Sequence, residues 1–342
     1  MERTEIQSLG EFGLIERLTR DTKTYHTTTV KGIGDDAAVI RHGDYLQVIT
    51  SDMLLEGIHF DLAFSPLKHL GYKAIAVNVS DVAAMNAVPQ QITVNIGVSN
   101  RFSVEALEQL YEGIHSACEN YRVDLAGGDT TSSRSGLVIS VTATGTTTEK
   151  QIAYRGGASE GDILCVTGDL GGAYLGLQVL EREKQVLQSD PDMQPKMEAY
   201  DYLLQRQLRP EARMDIVHEF RELGIVPTSM IDVSDGLASE TLHLCKASGL
   251  SAVIYEEKIP VHQQSYNLAT SEFKLPPTTC ALNGGEDYEL LFTIKQADFE
   301  KIKLHDDISF VGYMAAAGQK NLLVTRGGQQ AELTAQGWQH FE

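Results

Sequence analysis

The sequence is short of cysteine, of tryptophan and of positive charge, and it has no long apolar run. Its four cysteines, Cys118, Cys165, Cys245 and Cys280, lie far apart, with no CxxC pair and no histidine at ligand spacing. That spacing disfavours both a zinc site and a disulfide frame. It leaves small buried hydrophobes in a reducing compartment. No apolar stretch approaches the roughly 18 residues of a membrane span. The opening "MERTEIQSLGEFGLIERLTR" carries acids and lacks a continuous apolar core, so a signal peptide is not expected. Lys and Arg number 28 against 47 Asp and Glu, a formal charge of −19. So negative a surface repels nucleic acid and anionic membranes, and neither is expected as a partner. A soluble, cytoplasmic protein is the expectation that remains.

The familiar phosphate cradles are missing as well. No Gly-Lys pair occurs, so there is no GxxxxGK[ST] loop, and protein-kinase signatures are absent. "VTGDLGGAYLG" has the wrong glycine spacing for a dinucleotide fingerprint and reads as a tight turn with close strand–helix packing. No DxDxDG calcium loop is present.

What is present is enough apolar material, 42% of 342 residues, for two domains. Strand and helix signals alternate throughout, which predicts an α/β (mixed α+β) fold of two α/β units. "LQVIT" (46–50) reads as a short strand ending at Ser51 and Asp52. A helix is expected from Ser65 to Asn86, with Ser65 as cap and Pro66 in the first turn. "QITVNIGVS" alternates as a strand, Ser103 to Tyr121 reads as a capped helix, and "GLVISVTATGTT" as another strand. The turn-rich "YRGGASEGD" then separates a first unit, 1–152, from a second, 153–342. The second opens with "ILCVTG" and a helix from about Ala173, and its segment 181–198 reads as an exposed excursion.

Six aspartates stand out: Asp36, Asp52, Asp81, Asp129, Asp232 and Asp235. All but Asp81 stand at an expected strand-to-loop junction, and Asp36, Asp52, Asp129 and Asp235 sit there beside glycine, serine or another acid. Asp81 lies within the long helix. Each one alone reads as a cap or turn residue. Together they raise a sharper alternative, because strand ends in open α/β folds converge on one crevice. Two carboxylates about 4 Å apart repel by roughly 4 kcal/mol at an intermediate effective dielectric. A gathered set must share protons or hold cations, and oxygen-only ligands suit a hard ion such as magnesium. Neighbours on an extended segment point opposite ways, so only one of Asp35 and Asp36 should face an ion, while the other takes backbone donors.

Six blocks occur in order: "GIGDDAAVI", "TSDMLLEGIHF", "NVSDVAAMNAVP", "GGDTT", "IDVSDGLASE" and "GGEDYELLF". From about Glu11 to the C-terminus the chain resembles the thiamine-monophosphate kinase family, within the superfamily of aminoimidazole ribonucleotide synthetase and selenophosphate synthetase. The resemblance implies an N-terminal α/β domain that dimerises through its sheet, a C-terminal α/β domain, and ATP between them over several magnesium ions. It implies metal contacts from Asp36, Thr50, Ser51, Asp52, Asp81, Asp129, Asp232 and Asp235. Nucleotide contacts would come from Tyr111, Gly128, Asp129, Arg155 and Ser234, and substrate contacts from His59, Glu286 and Trp338. Catalysis would rest on Asp129, Asp235 and Arg155.

The implied reaction moves the γ-phosphoryl of ATP to the phosphate of thiamine monophosphate. A phosphomonoester has its second pKa near 6, so the acceptor oxygen is already ionised at neutral pH and no general base is required. The alternatives are another ATP-using member of the superfamily, such as a phosphoribosylformylglycinamidine cyclo-ligase, or a non-catalytic magnesium- and nucleotide-binding protein. A selenophosphate synthetase would need a reactive N-terminal cysteine, and the first cysteine here is Cys118.

Overall fold

The computed structural model describes residues 5–190 and 197–337. A short helix α1 (Gly10–Thr19) precedes a sheet built from β1 (Thr29–Lys31), β2 (Ala38–His42), β3 (Tyr45–Leu55), β4 (Val88–Val98), β5 (Asp124–Ser132) and β6 (Val138–Thr147). Its strand order is β1-β2-β3-β6-β4-β5. Every neighbouring pair is antiparallel except β4–β5. Helices α2 (Leu67–Ala84) and α3 (Val104–Tyr121) supply the crossovers and cover one face of the sheet. Period-two burial follows from this one-sided cover: Leu46, Val48 and Leu54 are buried while Ser51 and Met53 are exposed.

A second sheet has the order β13-β12-β9-β11-β7-β10-β8. Its strands are β7 (Ile163–Thr167), β8 (Ser229–Asp232), β9 (Ser251–Tyr255), β10 (Leu290–Ile294), β11 (Ile308–Ala315), β12 (Leu322–Val324) and β13 (Gln330–Glu332). The second half also holds α4 (Gly172–Ser189), α5 (Asp201–Leu208), α6 (Met214–Leu223) and α7 (Leu237–Ser248); α7 packs on β8, β9 and β10, Phe220 of α6 meets Phe292 of β10, and α4 packs on α5. The mixed α/β class expected from the alternating pattern is what forms.

Helix α2 joins the two halves. It packs on β3, β4 and β6 of the first sheet and on β8, α5 and α6 of the second half. Every residue from Leu70 to Ala84 except Asp81 is buried, so this helix has no solvent face. That explains why its sequence, "LGYKAIAVNVSDVAA", shows no clean amphipathic stripe. It also approaches α3 unusually closely. A Cβ on Gly71 would lie 2.0 Å from the Leu110 carbonyl oxygen, and one on Gly113 would lie 1.8 Å from that of Lys68. Two glycines therefore set the depth at which α2 lies.

Several expectations need correction. Residue Ser65 does not cap α2; Pro66 holds the N-cap position and no side chain bonds there. Strand β3 continues to Leu55, because its β6 partner continues alongside, so Ser51 and Asp52 are interior residues. Residues 181–189 are not an excursion but the second half of α4, and Glu183 is buried. Residues 191–196 and Trp338 lie outside the described residues. Ser103 does cap α3, its Oγ accepting from Ala106 N at 3.2 Å. All four cysteines are free, and three are buried.

Because no side chain fits between α2 and α3, Gly113→Ala should destabilise the protein by about 1–3 kcal/mol. Urea denaturation followed by circular dichroism measures this; an unchanged midpoint would show that the helices can part freely.

Candidate active site

Four elements from both halves deliver carboxylates to one point. Asp36 comes from the turn before β2, Asp52 from β3, Asp81 from α2 and Asp232 from the end of β8. One oxygen each of Asp36, Asp81 and Asp232 lie within 4.8 Å of one another. Pleating places Thr50 and Asp52 on the α2 face of β3, and Asp81 faces them from the helix. Thr50 Oγ1 donates to Asp81 Oδ2 at 2.5 Å. Asn78, three residues earlier on α2, accepts from Asp52 N at 3.1 Å. Ser80 Oγ donates to Asp232 Oδ2 at 2.6 Å, tying α2 to the second sheet.

The adjacent pair divides its work. Asp36 accepts on one oxygen from Arg155, at 2.7 Å from Nη2 and 3.2 Å from Nε. Its other oxygen is buried with no hydrogen-bond partner. Asp35 instead accepts from Arg155 N at 3.0 Å and lies 3.5 Å from Lys31 Nζ. The chain bends through Gly32–Ala37 rather than running as a strand, so the bend, not a pleat, sends the two side chains apart.

Burial dominates the electrostatics. It pushes Asp36 up to about 7 against the pull of Arg155, with Asp232 and Asp35 adding repulsion. Asp232 rises to about 6, again by burial. Burial, then repulsion from Asp52, Asp232 and Asp36, holds Asp81 well above the ordinary carboxylate range. Asp52 is raised by burial and by Asp36. All four are raised, so the fold holds these carboxylates where burial and mutual repulsion disfavour their charged forms.

The carboxylates floor a cleft of about 970 Å³ between the two halves. Of the residues singled out from the sequence, Thr50, Ser51, His59, Arg155, Ser234, Asp235 and Glu286 also line it. Ser51, however, commits its hydroxyl to β6, donating to Val141 O and accepting from Thr142 Oγ1, each at 3.1 Å. His59 Nδ1 accepts from Leu55 N at 3.1 Å, which leaves the proton on Nε2. The loop carrying Ser234 and Asp235 is shaped by Glu240, whose Oε1 accepts from Asp235 N at 3.0 Å.

Three expected residues do not reach the cleft. Gly128 and Asp129 lie on β5, at the far edge of the first sheet. The register runs Asp52 to Val141, Val141 to Val94 and Val94 to Gly128, three strand spacings or about 14 Å. Asp129, one residue on, is exposed on the uncovered face of the sheet. Tyr111 lies on α3, packed against the first core. Sequence reasoning also missed Lys73 and Glu240. Glu240 follows Asp235 into the first turn of α7, where an acid commonly bonds back to the entering chain. Lys73 carried no such signal, since a lysine in a helix reads as surface.

Residues 34–147 match the family model described as AIR synthase related protein, N-terminal domain. The chain is 33% identical over 344 residues to the thiamine-monophosphate kinase of Bacillus subtilis (strain 168), covering 98% of this chain and 100% of that one. It is also 33% identical over 337 residues to the thiamine-monophosphate kinase of Aquifex aeolicus (strain VF5), covering 98% and 99%. A solved structure, "AaThiL complexed with AMPPCP and TMP", matches with a TM-score of 0.84 at 30% identity, covering all of both chains.

The raised carboxylates imply a sign for stability. Their protons bind more tightly in the folded chain, so their contribution is fullest below about pH 4 and is lost as the pH rises through about 6 and 7. In divalent-free buffer, melting temperature should fall between pH 5 and pH 8. Asp81→Asn removes one buried charge and should stabilise the protein by at least about 1 kcal/mol at pH 8, with little effect at pH 5. Parallel pH–melting curves for variant and parent would refute the clustering of charge.

Proposed function

Because the chain belongs to the thiamine-monophosphate kinase family, we propose that it transfers the γ-phosphoryl group of ATP to the phosphate of thiamine monophosphate, giving thiamine diphosphate and ADP. The observation that carries this reading is the meeting of Asp36, Asp81 and Asp232 at the floor of a cleft large enough for both substrates. The similarity to a solved complex with AMPPCP, an ATP analogue, and TMP supports the same pair of ligands.

The donor set fits magnesium. It is made of oxygens alone, and the partnerless, buried Oδ2 of Asp36 is an acceptor that no protein donor serves. Asp36, Asp81 and Asp232 would hold the ions, with Thr50, Asp52 and Asp235 beside them. When bound, magnesium neutralises the phosphate oxygens and draws charge from the transferred group. Arg155, anchored on Asp36, presents a fixed guanidinium toward the same region. Glu240 holds the loop of Ser234 and Asp235, which supports a nucleotide contact from Ser234 and an ion contact from Asp235. The acceptor phosphate is ionised at neutral pH, so orientation and charge neutralisation do the work rather than proton abstraction.

In this reading residues 1–152 and 153–342 are the two domains, the first also forming a homodimer. The support is the uncovered face of the first sheet, where Met53 is 53% exposed and Asp129 stands in the same row three strands away. A second copy docked on that face would bring Gly128 and Asp129 into an assembled site. No helix among the described residues is long and apolar enough to cross a membrane, in keeping with a cytoplasmic setting.

Incubation with ATP, magnesium and thiamine monophosphate should yield ADP and thiamine diphosphate in equal amounts, whereas free thiamine should give neither. Asp235→Asn should lower kcat by about 100-fold or more while leaving the melting curve near that of the parent. Nucleotide binding without product would reduce the protein to a binding module. Met53→Lys should shift the sedimentation coefficient toward that of a monomer; an unchanged dimer would place the contact elsewhere.

A further inference from the structure

Lys73 is a lysine with almost no water around it. It lies mid-helix in α2 and is 4% exposed. Its Nζ donates to Glu286 Oε2 at 2.5 Å and to the Gln207 carbonyl oxygen at 3.0 Å. Gln207 Nε2 donates to the same Glu286 oxygen at 3.0 Å. A buried ammonium persists only when paired in this way. Glu286 itself is held in an unusual conformation, with φ +59°, and Tyr288 two residues on has φ +52°. Non-glycine residues in the left-handed region persist where surrounding contacts over-determine them. The contacts are at hand: Glu286 N donates to Ser234 O at 2.7 Å, and the next acid, Asp287, caps α4 by accepting from Gly171 N and Ala173 N.

The cleft side of α2 presents Leu70, Lys73, Val77 and Asp81 in one stripe. From Asp81 to Lys73 is eight residues, about 12 Å along the axis. The Asp81 end belongs to the carboxylate cluster. The other end carries Leu70 together with Glu286 and Tyr174, whose ring lies against Gly284. Thiamine monophosphate has the same polarity, with a phosphate at one end and a cationic thiazolium and an aminopyrimidine at the other. Its phosphate must meet ATP over the carboxylate cluster, so its rings extend toward Glu286. Lys73 cannot itself grip a phosphate there, because its side chain is 5% exposed and two of its three donors are committed to Glu286 and Gln207.

We propose that Lys73 is a positioning residue for acceptor recognition: with Gln207 it clamps Oε2 of Glu286, leaving Oε1, which the Tyr288 hydroxyl reaches only at 3.4 Å, to receive the cationic ring end of the acceptor. The inference rests on the proposed kinase reading. It adds that selectivity for the thiamine rings depends on a buried lysine that never touches them.

The test is steady-state kinetics on the full-length protein with ATP and magnesium, using Lys73→Met, Glu286→Gln and the double variant. Each single change should raise KM for thiamine monophosphate about 10- to 100-fold, leave KM for ATP within about twofold, and lower kcat far less than it raises KM. The double variant should be no worse than the poorer single one, because Lys73 acts only through Glu286. Multiplying effects, an equal rise in KM for ATP, or no effect of Lys73→Met would each overturn the proposal. An unchanged KM for thiamine monophosphate in Glu286→Gln would instead remove Glu286 from the acceptor site, and absence of product in the parent would remove the kinase reading. Should Lys73→Met fail to fold, Gln207→Met takes away the second donor to the same oxygen. It should raise the same KM by a smaller factor and show the same non-additivity with Glu286→Gln; additive effects would count against the clamp.

Discussion

The whole arrangement hangs on α2, a helix enclosed on every side. Its burial is possible because Gly71 and Gly113 let it press against α3, and because both sheets contribute apolar cover. A helix so enclosed cannot turn about its axis without breaking packing on all sides. Its polar side chains are therefore fixed in direction. Lys73, Asn78, Ser80 and Asp81 each address a different part of the molecule: the Glu286 loop, β3, β8 and the carboxylate cluster. The helix that holds the two halves together is also the one that aims the site.

The cleft lining includes nine Asp and Glu residues and three Lys and Arg residues. All three cations are already paired: Arg155 with Asp36, Lys73 with Glu286 and Lys184 with Asp61. What remains is a negative floor with no free cation among the described lining residues to quiet it. Such a site repels the very phosphates the proposed reaction must bring together, and divalent ions would relieve that repulsion in the proposed reaction. It also makes the divalent-free fold pay for function, since the repulsion persists whenever the cluster is ionised.

The loop "GGEDYE" shows how a short segment can be over-determined. Glu286 bonds α2 and α5, and Asp287 caps α4. Glu289 is buried between Arg206 and Arg213, at 2.8 and 2.7 Å. These anchors pull in different directions, so the loop keeps its two left-handed residues in spite of their steric cost. Cleft-lining groups on such a loop need no rearrangement to be in place.

Sequence alone determined the class of fold, the six motif blocks and the chemical type of the site, because these depend on local periodicity and on which functional groups a segment carries. It identified α3 with its Ser103 cap, since a cap acts within one turn, and it expected Asp35 and Asp36 to point apart, though by a pleat where the chain has a bend. Tertiary structure decided the rest. Only the pairing of β3 with β6 shows that the strand runs on to Leu55. Only the sheet order sets Asp129 about 14 Å from the cluster and on the other face. Only enclosure by two sheets turns Lys73 from a surface lysine into a buried clamp. The division has one physical cause: hydrogen-bonding capacity and charge belong to a residue wherever it is, but proximity and desolvation are properties of the folded neighbourhood.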